Sequence, residues 1–191
     1  LGSSGENLSA VLMQICGDPK SPENKERLLE WISALAAPAV TGLRFDRTTL
    51  GDVLVQVEED NARLVSARSL SDGTLRFMGL LAALFSAPEG SVVLVEEVEN
   101  GLHPTRIHLL VELFEQFAAE RNLQIIATTH SSQVLLGLSE QALRNAVLFA
   151  RNEEHPGTIV RRLGDLPHFE EVTQRTNIDE LFTTGWLEFA V

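Results

Sequence analysis

The feature that most constrains the fold of this chain is a short apolar run, Val92–Val95, that ends in two adjacent carboxylates. Four consecutive aliphatic residues are typical of a buried parallel strand. Open α/β sheets bind their ligands at the carboxyl ends of the strands, which is where Glu96 and Glu97 follow. Because side chains alternate along a strand, the sequence predicts that the two carboxylates point to opposite sides, one towards a metal shell and one towards a water. Taken alone, the pair is equally typical of surface residues.

A second stretch lies upstream, where Leu70 leads into Ser-Asp-Gly-Thr and then an apolar helix over residues 74–86. Ser71 is a suitable N-cap, and the charge of Asp72 suits the positive end of a helix. An ordinary capped core helix is one interpretation. The other is an anion site at the amino end, where backbone N–H groups have no partner within the helix.

A third stretch, residues 124–129, is predicted to form another apolar strand, and it ends at His130. A strand, helix and strand in succession place the two strands parallel, so His130 is expected at the same sheet edge as the two glutamates. A histidine that caps the following helix is the alternative. Because Ser131 and Ser132 are better caps, the sequence predicts that the imidazole is available for another role.

In this order and spacing, the three stretches resemble the second half of an ATP-binding-cassette ATPase head of the RecF/SMC kind, and they are most similar to the bacterial AAA-type "predicted ATPase" proteins. The resemblance runs over residues 64–132. It implies an α/β fold: the C-terminal lobe of a P-loop NTPase-like, mostly parallel sheet with flanking helices and β-hairpins. The motifs it matches are the signature loop at residues 71–74, the Walker B strand at 92–97, the D-loop at 99–103 and the switch histidine His130.

The resemblance implies hydrolysis of ATP to ADP and phosphate, with ATP and Mg²⁺ as cofactors. Glu96 would hold the Mg²⁺ shell, Glu97 would polarise the attacking water, and His130 would contact the γ-phosphate. The family more often has aspartate at the position of Glu96, so the longer side chain implies a shifted contact with the metal.

The resemblance also implies a homodimer of heads. Ser71, Asp72 and Gly73 would close the nucleotide site of the partner head, and Asn100 and Gly101 would line the seam between the two heads. Asp72 stands where transporters have glycine. Because RecF- and SMC-like heads vary there, this difference does not argue against the role.

The phosphate-binding loop of this class, Gly-x-x-x-x-Gly-Lys-Ser/Thr, does not occur in the sequence, and the first residue is Leu1. We therefore expect residues 51–191 to be the C-terminal half of an ATPase domain and residues 1–50 to be a helical lobe or connector. The expected partners are the missing N-terminal Walker A half, a second copy of the chain, and DNA or an effector protein reached through the full-length protein.

The composition of the chain argues against some kinds of binding surface and some cellular locations. The formal net charge of −12 argues against a large nucleic-acid-binding face on this segment. With Cys16 as the one cysteine, no internal disulfide forms, which favours a reducing, cytoplasmic location. No apolar run approaches the roughly 20 residues of a membrane span, so no membrane association is expected.

Two other functional classes fit parts of the sequence. Without a phosphate-binding loop, the chain could be a non-catalytic regulatory or assembly module. A metal-dependent hydrolase is the other, although the spacing of its candidate ligands matches no metal motif. Those candidate ligands are Glu96, Glu97, Glu99, His103 and His130.

Further elements are expected outside these motifs. Helices are predicted from Asn7 or Ser9 through Ile15 and from Ser21 to about Ala36. Hairpins are predicted from strands 53–57 with 63–67 and from strands 146–151 with 158–163, and short helices at 165–176 and 179–183.

Overall fold

The structure is a computed structural model, and it describes residues 2, 5–35, 39–151, 157–167 and 169. Internal packing divides the chain into two units, Leu1–Thr128 and Thr129–Val191. Within the described residues, no helix combines the length and apolar character needed to cross a bilayer.

The first unit begins with two helices, α1 (Leu8–Cys16) and α2 (Asn24–Leu35). Each buries an apolar stripe, which contains Leu12 and Ile15 in α1 and Leu28 and Ile32 in α2. Both helices were predicted, but α2 begins at Asn24 and not at the predicted Ser21. The predicted end of α2, at about Ala36, lies outside the described residues.

Three antiparallel strands follow, β1 (Val40–Arg47), β2 (Val53–Glu59) and β3 (Leu64–Ser66), in that order across the sheet. The predicted β2–β3 hairpin is confirmed. Strand β1 was not predicted, because an irregularity in its register between Val40 and Gly42 breaks the two-residue alternation that identifies a strand. Since β1 pairs with β2, residues 40–47 share a sheet with the segment that follows residue 50.

The rest of the first unit contains the predicted strand, helix and strand. Helix α3 (Asp72–Ser86) leads to β4 (Val92–Val95), and α4 (Ile107–Arg121) leads to β5 (Gln124–Ala127). Strands β4 and β5 pair in parallel, from Val92 opposite Gln124 to Val95 opposite Ala127. The α/β class and the parallel strand pair are therefore confirmed, while the described pairings outside β4–β5 are antiparallel.

The core of this unit joins α2, α3 and α4. The rings of Phe85 and Phe117 meet edge to face with centroids 4.9 Å apart, and the guanidinium of Arg27 lies over both. Arg27 also forms an ion pair with Glu120 at 2.7 Å. A hydrogen bond from Gln116, with a smaller contribution from Arg27, lowers the pKa of the Glu120 carboxyl from its ordinary value.

The β4–β5 pair is more exposed than predicted. The side chains of Val92, Leu94 and Ile126 are 53%, 73% and 57% exposed. Among the described residues this sheet has two strands, so each strand has a neighbour on one side. The prediction that β4 is buried is therefore wrong for this chain. An apolar run identifies the side chains that a buried strand would have, but it does not show whether another segment packs over them.

The second unit contains helices α5 (Ser132–Gly137) and α6 (Glu140–Asn145) and the antiparallel hairpin β6 (Val147–Arg151) and β7 (Thr158–Arg162). The hairpin was predicted and α6 was not. The helices expected over residues 165–176 and 179–183 fall largely outside the described residues. The unit has an apolar core of its own, made of Leu135, Leu143, Leu163, Leu166 and Phe169.

Candidate functional site

The amino end of α3 has the capped structure that the sequence predicted. Ser71 is exposed and occupies the N-cap position. Its Oγ accepts a hydrogen bond from the Thr74 backbone N–H at 3.1 Å and lies 2.8 Å from the Thr74 hydroxyl. Asp72 is exposed in the first turn, where its negative charge stabilises the positive end of the helix.

The next residue, Gly73, packs against the loop that follows β4. A Cβ atom placed on buried Gly73 would lie 1.8 Å from the carbonyl oxygen of Gly101. Gly101 has a φ of +79°, a region that L-residues with side chains rarely adopt. The matches to the signature loop and the D-loop therefore touch backbone to backbone within one chain. Sequence reasoning did not bring these two glycines together.

Beyond the last residue of β4, Val95, the chain bends, so both glutamates lie after the strand. Glu97 has a φ of +47°, which is unusual for a residue other than glycine, asparagine or aspartate. The predicted alternation is therefore wrong as a reason for the orientation of the two carboxylates. Both side chains are exposed, so both can reach a ligand at this end of the strand pair.

Hydrogen bonds hold Glu97 on several sides. Its backbone N–H donates to the Thr128 hydroxyl at 3.0 Å, and its carbonyl oxygen accepts from the Asn100 backbone N–H at 2.9 Å. Its carboxylate accepts from the Asn100 side-chain amide at 3.2 Å. The next residue, Val98, donates its N–H to the Thr128 carbonyl at 3.1 Å. The bend after β4 is therefore fixed to the end of β5.

Arg76 adds a link that sequence reasoning missed. From the second turn of α3, its guanidinium Nη2 donates to the carbonyl oxygens of Glu96 and Glu97, at 2.5 and 2.9 Å. The available signal was an arginine inside a helix stretch that is otherwise apolar over residues 75–85. Arg76 thus connects the helix that carries the Ser-Asp-Gly loop with the two glutamates.

A cavity of about 490 Å³ lies between α3 and β4. Arg76 and Glu96 are its charged lining residues, and the other lining residues are apolar or glycine. Such walls suit an apolar cover better than a phosphate group, which is held by backbone N–H groups and cations. We therefore place the candidate site at the exposed bend and not in this cavity.

His103 stabilises the short 3₁₀ turn Pro104–Arg106 that precedes α4. Its Nδ1 accepts from the Thr105 backbone N–H at 3.3 Å and lies 2.9 Å from the Thr105 hydroxyl. The described residues contain no group of three or more His, Cys, Asp or Glu side chains that could hold a metal ion. The arrangement therefore gives no support to the metal-dependent hydrolase.

His130 belongs to the second unit, where it is exposed two residues before α5. Ser131 occupies the N-cap position without a side-chain cap hydrogen bond. Ser131 therefore does not supply the side-chain cap that the sequence predicted for it. The role of His130 at a γ-phosphate stays a prediction that rests on the resemblance.

Comparison with known proteins finds a relative by sequence. A curated protein of Helicobacter pylori (strain ATCC 700392 / 26695) called "ATP/GTP phosphatase" is 34% identical over 76 residues, which is 38% of this chain and 20% of that protein. The chain thus spans about a fifth of the length of this relative.

Solved SMC heads share the fold. An SMC ATPase structure from work on ATP-driven dimerisation and DNA-stimulated activation has a TM-score of 0.53 at 12% identity, over 80% of this chain and 92% of that one. The Smc head of Pyrococcus yayanosii with a coiled coil and joint also has a TM-score of 0.53, at 13% identity, over 82% of this chain and 28% of that one.

A third solved structure is the Smc head of Pyrococcus furiosus with an extended coiled coil, bound to the C-terminal domain of ScpA. Its TM-score is 0.53 at 10% identity, over 78% of this chain and 37% of that one. Residues 14–136, more than half of the chain, match the family described as "AAA domain, putative AbiEii toxin, Type IV TA system". The chain has the fold of SMC ATPase heads, and it belongs to this AAA-domain ATPase family.

Proposed function

We propose that this chain is the C-terminal half of an ATPase head that hydrolyses ATP to ADP and phosphate. The observation that carries the proposal is the bend after β4, where Glu96 and Glu97 are exposed beside the amino end of α3. Family membership and the name of the Helicobacter pylori relative support a nucleotide as the substrate. In this proposal residues 51–191 form the ATPase half, and residues 1–50 are a helical lobe or connector.

The two glutamates have different tasks in this proposal. Glu96 supplies one carboxylate to a Mg²⁺ shell, which suits an ion that keeps several waters and needs few protein ligands. When bound, Mg²⁺ neutralises charge on the phosphates. Glu97 orients and polarises the attacking water through a carboxylate that Asn100 holds. His130 is assigned to the γ-phosphate by resemblance.

A dimer of heads completes the site. Ser71, Asp72 and Gly73 close the nucleotide site of the partner head, and Asn100 and Gly101 line the seam. The contact between Gly73 and Gly101 supports a common surface for both loops within one head. DNA or an effector protein reached through a longer protein would use this ATP-gated association.

Replacing Ser71 by Arg is expected to abolish ATP-driven association of the complete protein while leaving ATP binding to its own pocket unchanged. The large cation fills the space that the partner's nucleotide needs. Light scattering with and without ATP, in a variant that hydrolyses slowly, measures the association.

Two control variants separate this effect from a loss of stability. Ser71→Ala removes the hydroxyl and the helix cap without adding a cation, at a cost of about 1 kcal/mol, and measures how much association is lost with the cap alone. Ser86→Arg places the same residue at the other end of α3 and should behave as wild type. Unchanged association of Ser71→Arg would contradict the role across the dimer.

The exposed β4–β5 pair predicts how the isolated chain behaves. Unpaired strand edges with apolar side chains recruit other strands, so this chain should self-associate unless its Walker A half is supplied. It should show no ATPase activity alone, because two carboxylates without a phosphate-binding loop do not position MgATP. Sedimentation and ATP hydrolysis should be measured with and without the N-terminal half.

A charged side chain on β5 tests whether the exposed strand edge causes the self-association. Ile126→Lys is expected to reduce self-association, while Leu50→Lys, at a residue that is 89% exposed in the turn between β1 and β2, should not. A stable wild-type monomer with slow hydrogen exchange over residues 123–129 would show that another element covers the edge. If the completed protein binds no ATP, the non-catalytic regulatory or assembly module becomes the better description.

A further inference from the structure

We propose that Arg76 is a positioning residue: it holds the backbone of Glu97 in its left-handed conformation and thereby links the orientation of that carboxylate to helix α3. This inference rests on the proposed function for its effect on catalysis. The contact itself is a property of the chain alone.

The geometry of Arg76 suits this task. One nitrogen, Nη2, donates to the two consecutive carbonyl oxygens of Glu96 and Glu97. Hydrogen bonds from a charged guanidinium are stronger than those between neutral groups, and the planar group fixes its own direction. A carbonyl pair held in this way cannot rotate without losing both bonds.

Glu97 needs such support, because its φ of +47° is a conformation that persists only where the surroundings determine it. The Thr128 hydroxyl holds its N–H from β5, and Asn100 holds its carbonyl and carboxylate from the following loop. Arg76 is the contact that comes from α3. The conformation of the bend therefore depends on α3 as well as on β5 and the loop that follows Glu97.

Helix α3 touches the same region a second time, one turn earlier. The Cα of Gly73 lies 3.1 Å from the position that a Cβ on Gly101 would take. With Arg76, this gives α3 one contact at Glu96 and Glu97 themselves and one at Gly101, further along the loop. A shift of the amino end of α3 would thus reach Glu97 through two separate contacts.

The test uses Arg76→Ala and Arg76→Gln, which keep α3 helical, and Arg76→Lys, which keeps one charged donor. Hydrogen exchange of the Glu97 and Asn100 amides should become faster in the first two variants. In the complete protein, kcat should fall by about 10- to 100-fold while ATP affinity stays within about twofold, since positioning acts on the transition state. Arg76→Lys should recover part of both effects, and Arg47→Ala is the control for the loss of one exposed arginine.

The outcomes separate this inference from the proposed function. Unchanged amide exchange in both Arg76→Ala and Arg76→Gln overturns the contact. Faster exchange with unchanged kcat, or an equal loss of ATP affinity and kcat, overturns the positioning role. If the complete wild-type protein has no ATPase activity, the proposed function fails, while the exchange measurement still decides whether Arg76 holds the bend.

Discussion

In the complete protein, Glu97→Gln is expected to leave ATP binding unchanged and to slow hydrolysis by about 10²- to 10⁴-fold, the usual contribution of a side chain that acts on a proton in the transition state. The amide keeps an oxygen that can accept from Asn100, so the shape of the bend is retained. What is lost is the negative charge that polarises the water.

Single-turnover rates and nucleotide affinity should be measured on the same preparations. Glu89→Gln, in the exposed turn before β4, is the matched control and should keep wild-type turnover. Hydrolysis at the wild-type rate by Glu97→Gln would remove Glu97 from the mechanism. A parallel loss of ATP binding would instead assign it to the binding of nucleotide.

Gly73→Ala is expected to be one of the most damaging single-methyl substitutions in the chain. Its Cβ would lie 1.8 Å from the Gly101 carbonyl oxygen, and 2.8 Å from the carbonyl carbon. Overpacking in cores costs about 1–3 kcal/mol, and an overlap with backbone belongs at or above the upper end of that range. Either α3 or the loop after β4 must move, so the position of Glu97 changes with it.

The same helix offers a control. No atom outside the local helix lies within 4 Å of a Cβ placed on Gly79, so Gly79→Ala should stabilise the chain by up to about 1 kcal/mol through helix propensity. Denaturant unfolding of the two variants measures the difference in free energy of unfolding. Equal stability of Gly73→Ala and Gly79→Ala would mean that the backbone contact with Gly101 does not form in solution.

Features set by local chemistry could be predicted from the sequence. The Ser71 cap of α3, the parallel pairing of β4 with β5 and the β6–β7 hairpin follow from side-chain chemistry and apolar periodicity within short segments. Glu96 and Glu97 were predicted as site residues because the end of a strand in an α/β sheet is a binding position, and their roles stay predictions.

The remaining features depend on contacts between distant segments. Three features are of this kind, and each joins residues 20 or more positions apart or depends on such a contact: the left-handed Glu97, the guanidinium of Arg76 on two carbonyls, and the approach of Gly73 to Gly101. The apolar periodicity of the sequence does not indicate such contacts. Strand β1 was missed for a local reason, since its irregular register hides the alternation.

In the proposed head, the exposed faces of β4 and β5 have a consequence for how the gene can be arranged. Burying Val92, Leu94 and Ile126 under a second half would gain a few kcal/mol, at about 25 cal/mol per Å² of apolar surface. By contrast, each doubling of the length of a flexible connection between the halves costs only about 0.6 kcal/mol in closure entropy. A head built from such halves therefore tolerates very long insertions between them.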